Sequence, residues 1–497
     1  MNLATIIDPH PADAVALVSR GRTTTYGELR DQVAHLRGGL VGLGLQPGDR
    51  VAIVAANNWY FVSAYLAALG AGCVVVPLNA TSPVRELQSE LAAVGVKAVV
   101  AGPTGRASVG QLDRAALPAL EHLICATGSD MAGAVLIDDL LAAEPVPVVD
   151  REASDVAVLV FTSGTAGSPK AAMLTHGNLL SNLEQCQALP ARAQRPDDVV
   201  LGVLPFFHIF GLNVVLNLTL MTGSSVVLVE RFDPQTALES IENHGITVIS
   251  GAPTMWSAWA TLPGTRPGAF ASVRIAVSGA ARLDPQIQRT LAERFGVDLI
   301  EGYGLTEASP VVTTGSGAEA PEGSIGVPLP GVHVRLVDID GVDALVGDPG
   351  EIWVRGPNVF AGYWEDPAAT AAAVDEDGWL HTGDVAVVDD DGHLFIVDRV
   401  KDLIIVSGFN VYPAEVEEVL MEHPAVERAA VVGVAHPHTG EAVKAFVVAA
   451  EGASVEEDDL IAHCEAHLAR YKCPQKVLFV DEIPQGATGK TLRAALR

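Results

Sequence analysis

Short β-branched runs alternate with longer Ala/Leu-rich amphipathic segments through most of the first four hundred residues. A helix that separates two strands and packs back on them leaves the strands parallel, so this rhythm predicts parallel sheets covered by helices. Residues 50–54, 73–77, 225–229 and 273–277 read as strands; 26–43, 59–69 and 176–188 read as helices, the last with Asn178 near its start. The texture changes between residues 320 and 400, where Asp/Gly turns separate short strands in the manner of antiparallel hairpins. From residue 411 the pattern is compact and mixed: a helix beginning near Pro413, strands at 429–434 and 443–449, and a helix over 456–470. The expectation is an α/β chain. A large N-terminal domain, residues 1–398, has parallel-rich sheets covered by helices plus an antiparallel β subdomain, and a small α+β domain, residues 399–497, follows as a lid.

A chain of 497 residues, 49% apolar and 18% charged, can bury the cores of two such domains. Its formal net charge of -29 argues against a nucleic-acid partner, because phosphate backbones are held by clustered Lys and Arg. Any polyanionic ligand must therefore meet a local positive site. Cys73, Cys125, Cys186, Cys464 and Cys473 are odd in number and lack C-x-x-C spacing, which suggests neither a disulfide frame nor a zinc site and fits a reducing cytoplasm. No basic region followed by an apolar core opens the chain, so no secretory signal is read. Residues 199–229 carry no Asp, Glu, Lys or Arg and are long enough to cross a bilayer. Gly202, Pro205, His208, Gly211, Asn213, Asn217 and Gly223 interrupt that stretch, which reads instead as a strand, a loop and a buried helix.

The apolar run 156–161 empties into Thr162-Ser163-Gly164-Thr165-Ala166-Gly167-Ser168-Pro169-Lys170. Taken alone this is a surface turn or a phosphate cradle, in which glycines let backbone N–H groups converge on an oxyanion, hydroxyls add donors and Lys170 adds charge. A second run, ending at Ile300, leads into Glu301-Gly302-Tyr303-Gly304-Leu305-Thr306-Glu307. A glycine turn with a stray acid is the plain reading. In the functional one Tyr303 offers a flat face to a base, Thr306 a hydroxyl to a phosphate oxygen, and Glu307 a hard oxygen ligand to Mg²⁺. Downstream, His381-Thr382-Gly383-Asp384 places a carboxylate that could accept both hydroxyls of a ribose, and Arg399 could reach the same sugar or a phosphate. Residues 484–491 nearly match the G-x-x-x-x-G-K-[ST] pattern, but Pro484 holds the first glycine position and six residues follow Thr491, too few for an NTPase unit.

In their joint order these motifs, TSGTAGSPK, EGYGLTE, HTGD, DRVKDLIIVSGFNVYPAEVE and a terminal TGK, resemble the adenylate-forming superfamily that includes acyl-CoA synthetases, aryl-CoA ligases, luciferases and peptide-synthetase adenylation domains. The resemblance runs from Tyr26-Gly27-Glu28-Leu29 to Gly489-Lys490 and departs at Ala166, where the family usually has a second Thr. It implies two half-reactions: a carboxylate attacks the α-phosphate of Mg·ATP to give an acyl-adenylate and pyrophosphate, and a thiol then displaces AMP. It gives Lys490 the bridge between carboxylate and α-phosphate, Lys401 the hinge of a rotating lid, and Ser407, Gly408 and Phe409 the tunnel for coenzyme A. Thr162, Ser163, Gly164, Thr165 and Lys170 would hold phosphates, Gly279 and Ala280 would lie beside the adenine with Gly302, Tyr303 and Gly304, and His208 would wall the carboxylate site.

Gly251, Trp256, Ser278, Gly279 and Val311 fall in apolar or small segments that serve equally well as core, and together they favour an aliphatic acyl chain of medium or greater length. The expectation is an AMP-forming fatty-acid–CoA ligase using ATP, Mg²⁺ and coenzyme A in the cytoplasm, with no nucleic-acid partner and no membrane span, and with a homodimer left open. The alternatives are an aryl-CoA ligase of the 4-coumarate type, an enzyme loading a carrier protein, and a silent acyl- or nucleotide-binding homologue.

Overall fold

The computed structural model describes residues 1–126, 131–162, 170–189, 193–315, 320–399, 402–406, 409–437, 439–485 and 491–496. The chain forms two compact units: residues 1–320, 328–333 and 354–380 make the first, and residues 321–327, 334–353 and 381–497 the second. Residues 321–327, 334–353 and 381–398 of the antiparallel segment thus group by compactness with the last hundred residues.

Two sheets organise the first unit. One runs in the order Val135–Leu136, His122–Cys125, Ala98–Ala101, Arg50–Val54, Val74–Leu78, Val156–Thr162, Lys170–Thr175. Every pairing in it is parallel except the last, a hairpin in which Thr162 stands opposite Lys170. Within the first unit the other sheet runs from Val311–Thr314 through Leu299–Gly304, Ile275–Ser278, Val248–Gly251, Val199–Gly202, Ser225–Leu228 and Val15–Ser19 to Arg22–Thr25. Its interior is parallel and its two end pairings are antiparallel. The interior strands, such as Arg50–Val54, Val74–Leu78, Ala98–Ala101 and Val248–Gly251, are buried on both faces, as their continuous runs of Val, Ile and Ala require.

Local chemistry fixes the helices between them. Thr25 and Glu28 close a reciprocal capping box on Tyr26–Gly42, and Thr175 and Asn178 do so on His176–Gln187. Asp233 and Asp284 cap helices that each begin with proline and stop at a left-handed glycine, Gly245 and Gly296. The uncharged stretch 199–229 folds as strand Val199–Gly202, a loop, a π-helix over Phe210–Asn217, helix Leu218–Thr222 and strand Ser225–Leu228. Among the described residues no helix is long and apolar enough to cross a membrane.

In the second unit, strand Leu380–Val388 pairs antiparallel with Leu394–Arg399 in a four-stranded sheet. A five-stranded sheet contains Phe409–Val411, Ile404–Val406, Gly440–Ala449, Val426–His436 and Lys476–Phe479. Helices Pro413–Met421 and Glu457–His467 cover it, burying Val416, Leu420, Leu460 and Cys464 against Val431 and Val447.

Candidate active site

The parallel strands of the second sheet of the first unit end together. Register pairs Gly251 with Ser278 and Ser278 with Glu301, so the residues singled out at these strand ends form one row at the carboxyl edge, where open α/β sheets bind ligands. The row is tightly supported from behind. A Cβ on Gly251 would stand 3.0 Å from Nε1 of Trp256, and a Cβ on Gly279 would stand 3.1 Å from Cε1 of Phe210 in the π-helix. Trp256 itself is fully buried and donates its indole N–H to Val277 O at 3.3 Å. Ala280 follows with φ 74°, a left-handed conformation unfavourable for a residue with a Cβ and concentrated at functional sites.

Two buried polar atoms here have no protein partner among the described residues: Ser278 Oγ and His208 Nε2. Buried polar groups are nearly always satisfied, so each of the two has a bond left to offer a bound molecule or a water. His208 stands against Phe207 with ring centroids 4.4 Å apart, and burial lowers its pKa, favouring the neutral imidazole.

Thr306 and Glu307 lie in a single turn of 3-10 helix, Thr306–Ala308, just after strand Leu299–Gly304. Three asparagines, each essentially without solvent exposure, hold the chain that leaves this turn. Asn358 donates to Ala308 O at 2.9 Å, Asn213 to Ser309 O at 2.7 Å and Asn182 to Val311 O at 2.8 Å, and Val311 N donates back to Asn182 Oδ1. Gly304 is tied in as well, since a Cβ there would meet Pro310 O at 2.1 Å. Glu307 is fixed at both ends: its carbonyl accepts from Phe360 N at 2.9 Å, and its Oε1 accepts from the Tyr363 hydroxyl at 2.7 Å. Burial and the adjacent Glu307 carboxylate push the Tyr363 phenol up, so it remains a donor.

Lys170 opens the strand that follows the glycine-rich loop, and Thr162 Oγ1 donates across to its carbonyl at 3.4 Å. Its ammonium lies 5.1 Å from the centroid of the Tyr363 ring. Lys170, Tyr363 and Glu307 therefore form one connected group. Gly302 and Tyr303 pair with Thr314 and Thr313 on the neighbouring strand. Ser163, Gly164 and Thr165 lie outside the described residues.

In the second unit Asp384 is buried and stands opposite Arg399 in the hairpin register. Its turn is shaped by Gly383 at φ 71°, whose N–H donates to Glu351 Oε1 at 2.9 Å, and by Thr382, which donates to Ile352 O and accepts from Asp384 N. The other Glu351 oxygen accepts from Trp353 Nε1, and the Trp353 ring stacks on His381 at 3.9 Å. Phe409 is exposed and stacks on Tyr471 with centroids 4.8 Å apart. Lys401, Ser407, Gly408 and Lys490 lie outside the described residues. The chain flanking residues 486–490 is closed by a bridge between Gln485 and Thr491, and Arg493 then binds Glu417 with both carboxylate oxygens.

Sequence reasoning missed Tyr363, Asn182, Asn213, Asn358 and Glu351. Asn182 and Asn213 sit in helices and Asn358 in a loop, none within a motif that suggests chemistry, and Tyr363 lies 56 residues from the carboxylate it holds. The one available signal was Asn213 and Asn217 within an uncharged apolar stretch, where an amide must find an internal partner.

Residues 5–364 match the family described as AMP-binding enzyme, and residues 415–490 match the AMP-binding enzyme C-terminal domain. A feruloyl-CoA synthase from an Amycolatopsis species is 39% identical, over 99% of this chain and 96% of the relative. A long-chain-fatty-acid–CoA ligase from Yersinia pestis is 37% identical, over 98% of this chain and 92% of the relative. The crystal structure of ATP-bound MatB from Rhodopseudomonas palustris shares the fold with a TM-score of 0.91 at 34% identity, over 100% of this chain and 98% of that one. A glycine-rich hairpin loop, a braced Thr-Glu turn and a row of small residues at a sheet edge thus occur in a chain that belongs to the AMP-binding enzyme family and is an ATP-dependent, AMP-forming acyl-CoA ligase.

Proposed function

We propose that the protein activates a carboxylic acid with an apolar body, a medium- or long-chain fatty acid, to its acyl-adenylate and passes the acyl group to coenzyme A. The observation that carries the reading is the Lys170–Tyr363–Glu307 group, which puts a cation and a carboxylate beside the loop expected to cradle triphosphate. Attack of one anion on another is limited by charge, and each well-placed donor or cation can lower such a barrier by roughly 3–4 kcal/mol. Thr162, Ser163, Gly164, Thr165 and Lys170 would take the phosphates, with Thr306 as a further donor. Gly279, Ala280, Gly302, Tyr303 and Gly304 would receive the adenine, and Asp384 and Arg399 the ribose.

Glu307 suits Mg²⁺. One oxygen is held by Tyr363, and among the described residues no cluster of three or more His, Cys, Asp or Glu competes for a metal. Mg²⁺ keeps several waters and is commonly held by one or two carboxylates plus substrate phosphates, so a single carboxylate is an adequate donor set. When bound, the ion would neutralise phosphate charge as pyrophosphate departs. Lys490 would bridge acid and α-phosphate, rotation about Lys401 would exchange it for the thiol path, and Ser407, Gly408 and Phe409 would line that path.

The acid would lie between His208 and the row of Gly251, Ser278 and Gly279, with Trp256 and Val311 behind it. Apolar walls favour an aliphatic tail, each buried CH₂ contributing about 0.8 kcal/mol. An aryl acid is the second reading, favoured by the Phe210 ring packed at Gly279 and by the relative named feruloyl-CoA synthase.

AMP formation across a panel of short to long aliphatic and several aryl acids, with and without coenzyme A, tests the proposal. Turnover is expected to require coenzyme A and to peak with an aliphatic chain; a peak with an aryl acid selects the second reading, and adenylate that accumulates regardless of coenzyme A points to a carrier-protein acceptor. Lys490→Ala is expected to cut acid-dependent pyrophosphate release by at least ~10²-fold while sparing thioester formation from pre-made adenylate.

A further inference from the structure

We propose that Tyr363 is a positioning residue for adenylate formation, one side chain that holds the Glu307 carboxylate and the Lys170 ammonium apart and at a fixed spacing. The inference rests on the functional reading above and adds to it a residue with no acid–base role of its own.

The geometry is specific at three points. The phenol donates to Glu307 Oε1 at 2.7 Å, and the ring carries the Lys170 ammonium 5.1 Å from its centroid. Lys170 and Glu307 do not pair with each other: among the described residues the ion pairs of the first unit lie elsewhere. A direct pair would satisfy each charge with the other, leaving the ammonium less available to a phosphate oxygen and the carboxylate less available to a divalent cation. A neutral ring between them gives each one contact and leaves the rest of its coordination open. Lysine and glutamate both carry several rotatable bonds, so without such a partner each would sample many positions around the incoming triphosphate.

The tyrosine itself is placed by backbone pairing. Tyr363 bridges antiparallel to Ala172, two residues beyond Lys170, and the neighbouring pairs Trp364 N to Ala171 O at 2.8 Å, Met173 N to Gly362 O at 2.9 Å and Ala361 N to Met173 O at 3.0 Å extend the contact. Tyr363 N donates to Thr370 Oγ1 at 2.9 Å. Three residues earlier, Phe360 N donates to the Glu307 carbonyl. The segment 360–364 is therefore a strap bonded on one side to the lysine strand and on the other to the glutamate turn, with Tyr363 reaching both side chains.

The test uses the full chain with Tyr363→Phe and Tyr363→Leu. Calorimetric titration of ATP over a range of Mg²⁺ concentrations reads binding, and acid-dependent pyrophosphate release reads kcat and KM separately. Phenylalanine keeps the ring under Lys170 and removes the donor to Glu307: the Mg²⁺ concentration at half-maximal ATP binding is expected to rise about 10-fold, within the range seen when partners of metal ligands are removed. ATP binding without Mg²⁺ should stay as in the wild type. Leucine removes the ring too, and metal-free ATP binding should then weaken as well. In a Glu307→Gln background the phenylalanine effect on Mg²⁺ dependence should vanish.

An unchanged Mg²⁺ midpoint in Tyr363→Phe, or an equal further loss in the Glu307→Gln background, would overturn the assignment while leaving the ligase reading intact. A wild-type protein that releases no pyrophosphate with any acid would overturn both. Should the leucine variant fail to fold, the near-isosteric phenylalanine variant decides the matter alone.

Discussion

At Gly279 the missing side chain is the informative one. A methyl there would sit 3.1 and 3.2 Å from two carbons of the Phe210 ring, tighter than ordinary packing, and a few tenths of an ångström of ring movement would relieve it. Gly279→Ala is expected to leave thermal unfolding almost unchanged and to raise KM for the acid roughly 10-fold, the lower range for one methylene in a pocket. Shortening the neighbour in Gly279→Ala/Phe210→Leu should recover most of that loss; a KM unchanged in the single variant would place Gly279 away from the substrate. Such a residue is legible in the sequence because glycine after a strand is a conspicuous choice, as are the hydroxyls and lysine of TSGTAGSPK. Tyr363 was not legible, because its role arises from strand-like pairing between residues 361–364 and 171–173, a contact that no local pattern encodes.

Among the elements, the Thr306–Ala308 turn owes its position to neighbours rather than to its own sequence. Its exit is held by amides from helix His176–Gln187, from the π-helix Phe210–Asn217 and from the loop at Asn358. Removing one such donor leaves a buried carbonyl without a partner, a loss of roughly 1–3 kcal/mol. Asn358→Ala should therefore lower stability to urea by about that amount and reduce pyrophosphate release, and Asn358→Asp, whose carboxylate cannot donate and repels the Ala308 carbonyl, should lose at least as much; equal activity of wild type and Asn358→Ala would show that the turn holds itself.

The regular elements were read well where periodicity alone sets them. Strand Arg50–Val54 and the start of helix Pro413–Met421 match their expected positions. The strand expected at 273–277 spans Ile275–Ser278 instead; Arg274 just before it donates its backbone N–H to Thr247 O and pairs its guanidinium with the buried Asp198 carboxylate. The helix expected to reach residue 470 stops at His467, where Leu468 turns extended. Nothing in the composition of 210–217 distinguishes a π-helix from an α-helix, since both bury the same apolar residues.

For the whole molecule, a composition shift marked the change of architecture but not how the chain groups, since compactness depends on contacts between segments far apart in sequence. Acid response is also a property of the whole. The net charge of -29 means that lowering pH relieves self-repulsion everywhere, a background that favours the compact state in wild type and single variants alike. Against it stand buried groups of opposite sign. His176 is fully buried and accepts a hydrogen bond from Leu3 N at 3.0 Å; burial, then the charge of Arg151, lowers its pKa from 6.5 to about 4. Its neutral form is favoured on folding, so the stability it contributes is complete above pH 6.5 and lost as pH falls through about 4. Burial raises Glu301 from 4.5 to about 7, so its contribution is complete below pH 4.5 and lost as pH rises through about 7. Each shift corresponds to about 3 kcal/mol between its two limits. Urea unfolding of Glu301→Gln and His176→Gln beside the wild type, at intervals from pH 4.5 to 8, cancels the charge background in the differences. The glutamine at 301 should gain on wild type as pH rises above 5, and the glutamine at 176 should gain as pH falls below 6. Parallel curves at all pH values would mean that neither group differs in ionisation between the folded and unfolded chain, and acid sensitivity would then belong to the surface charge alone.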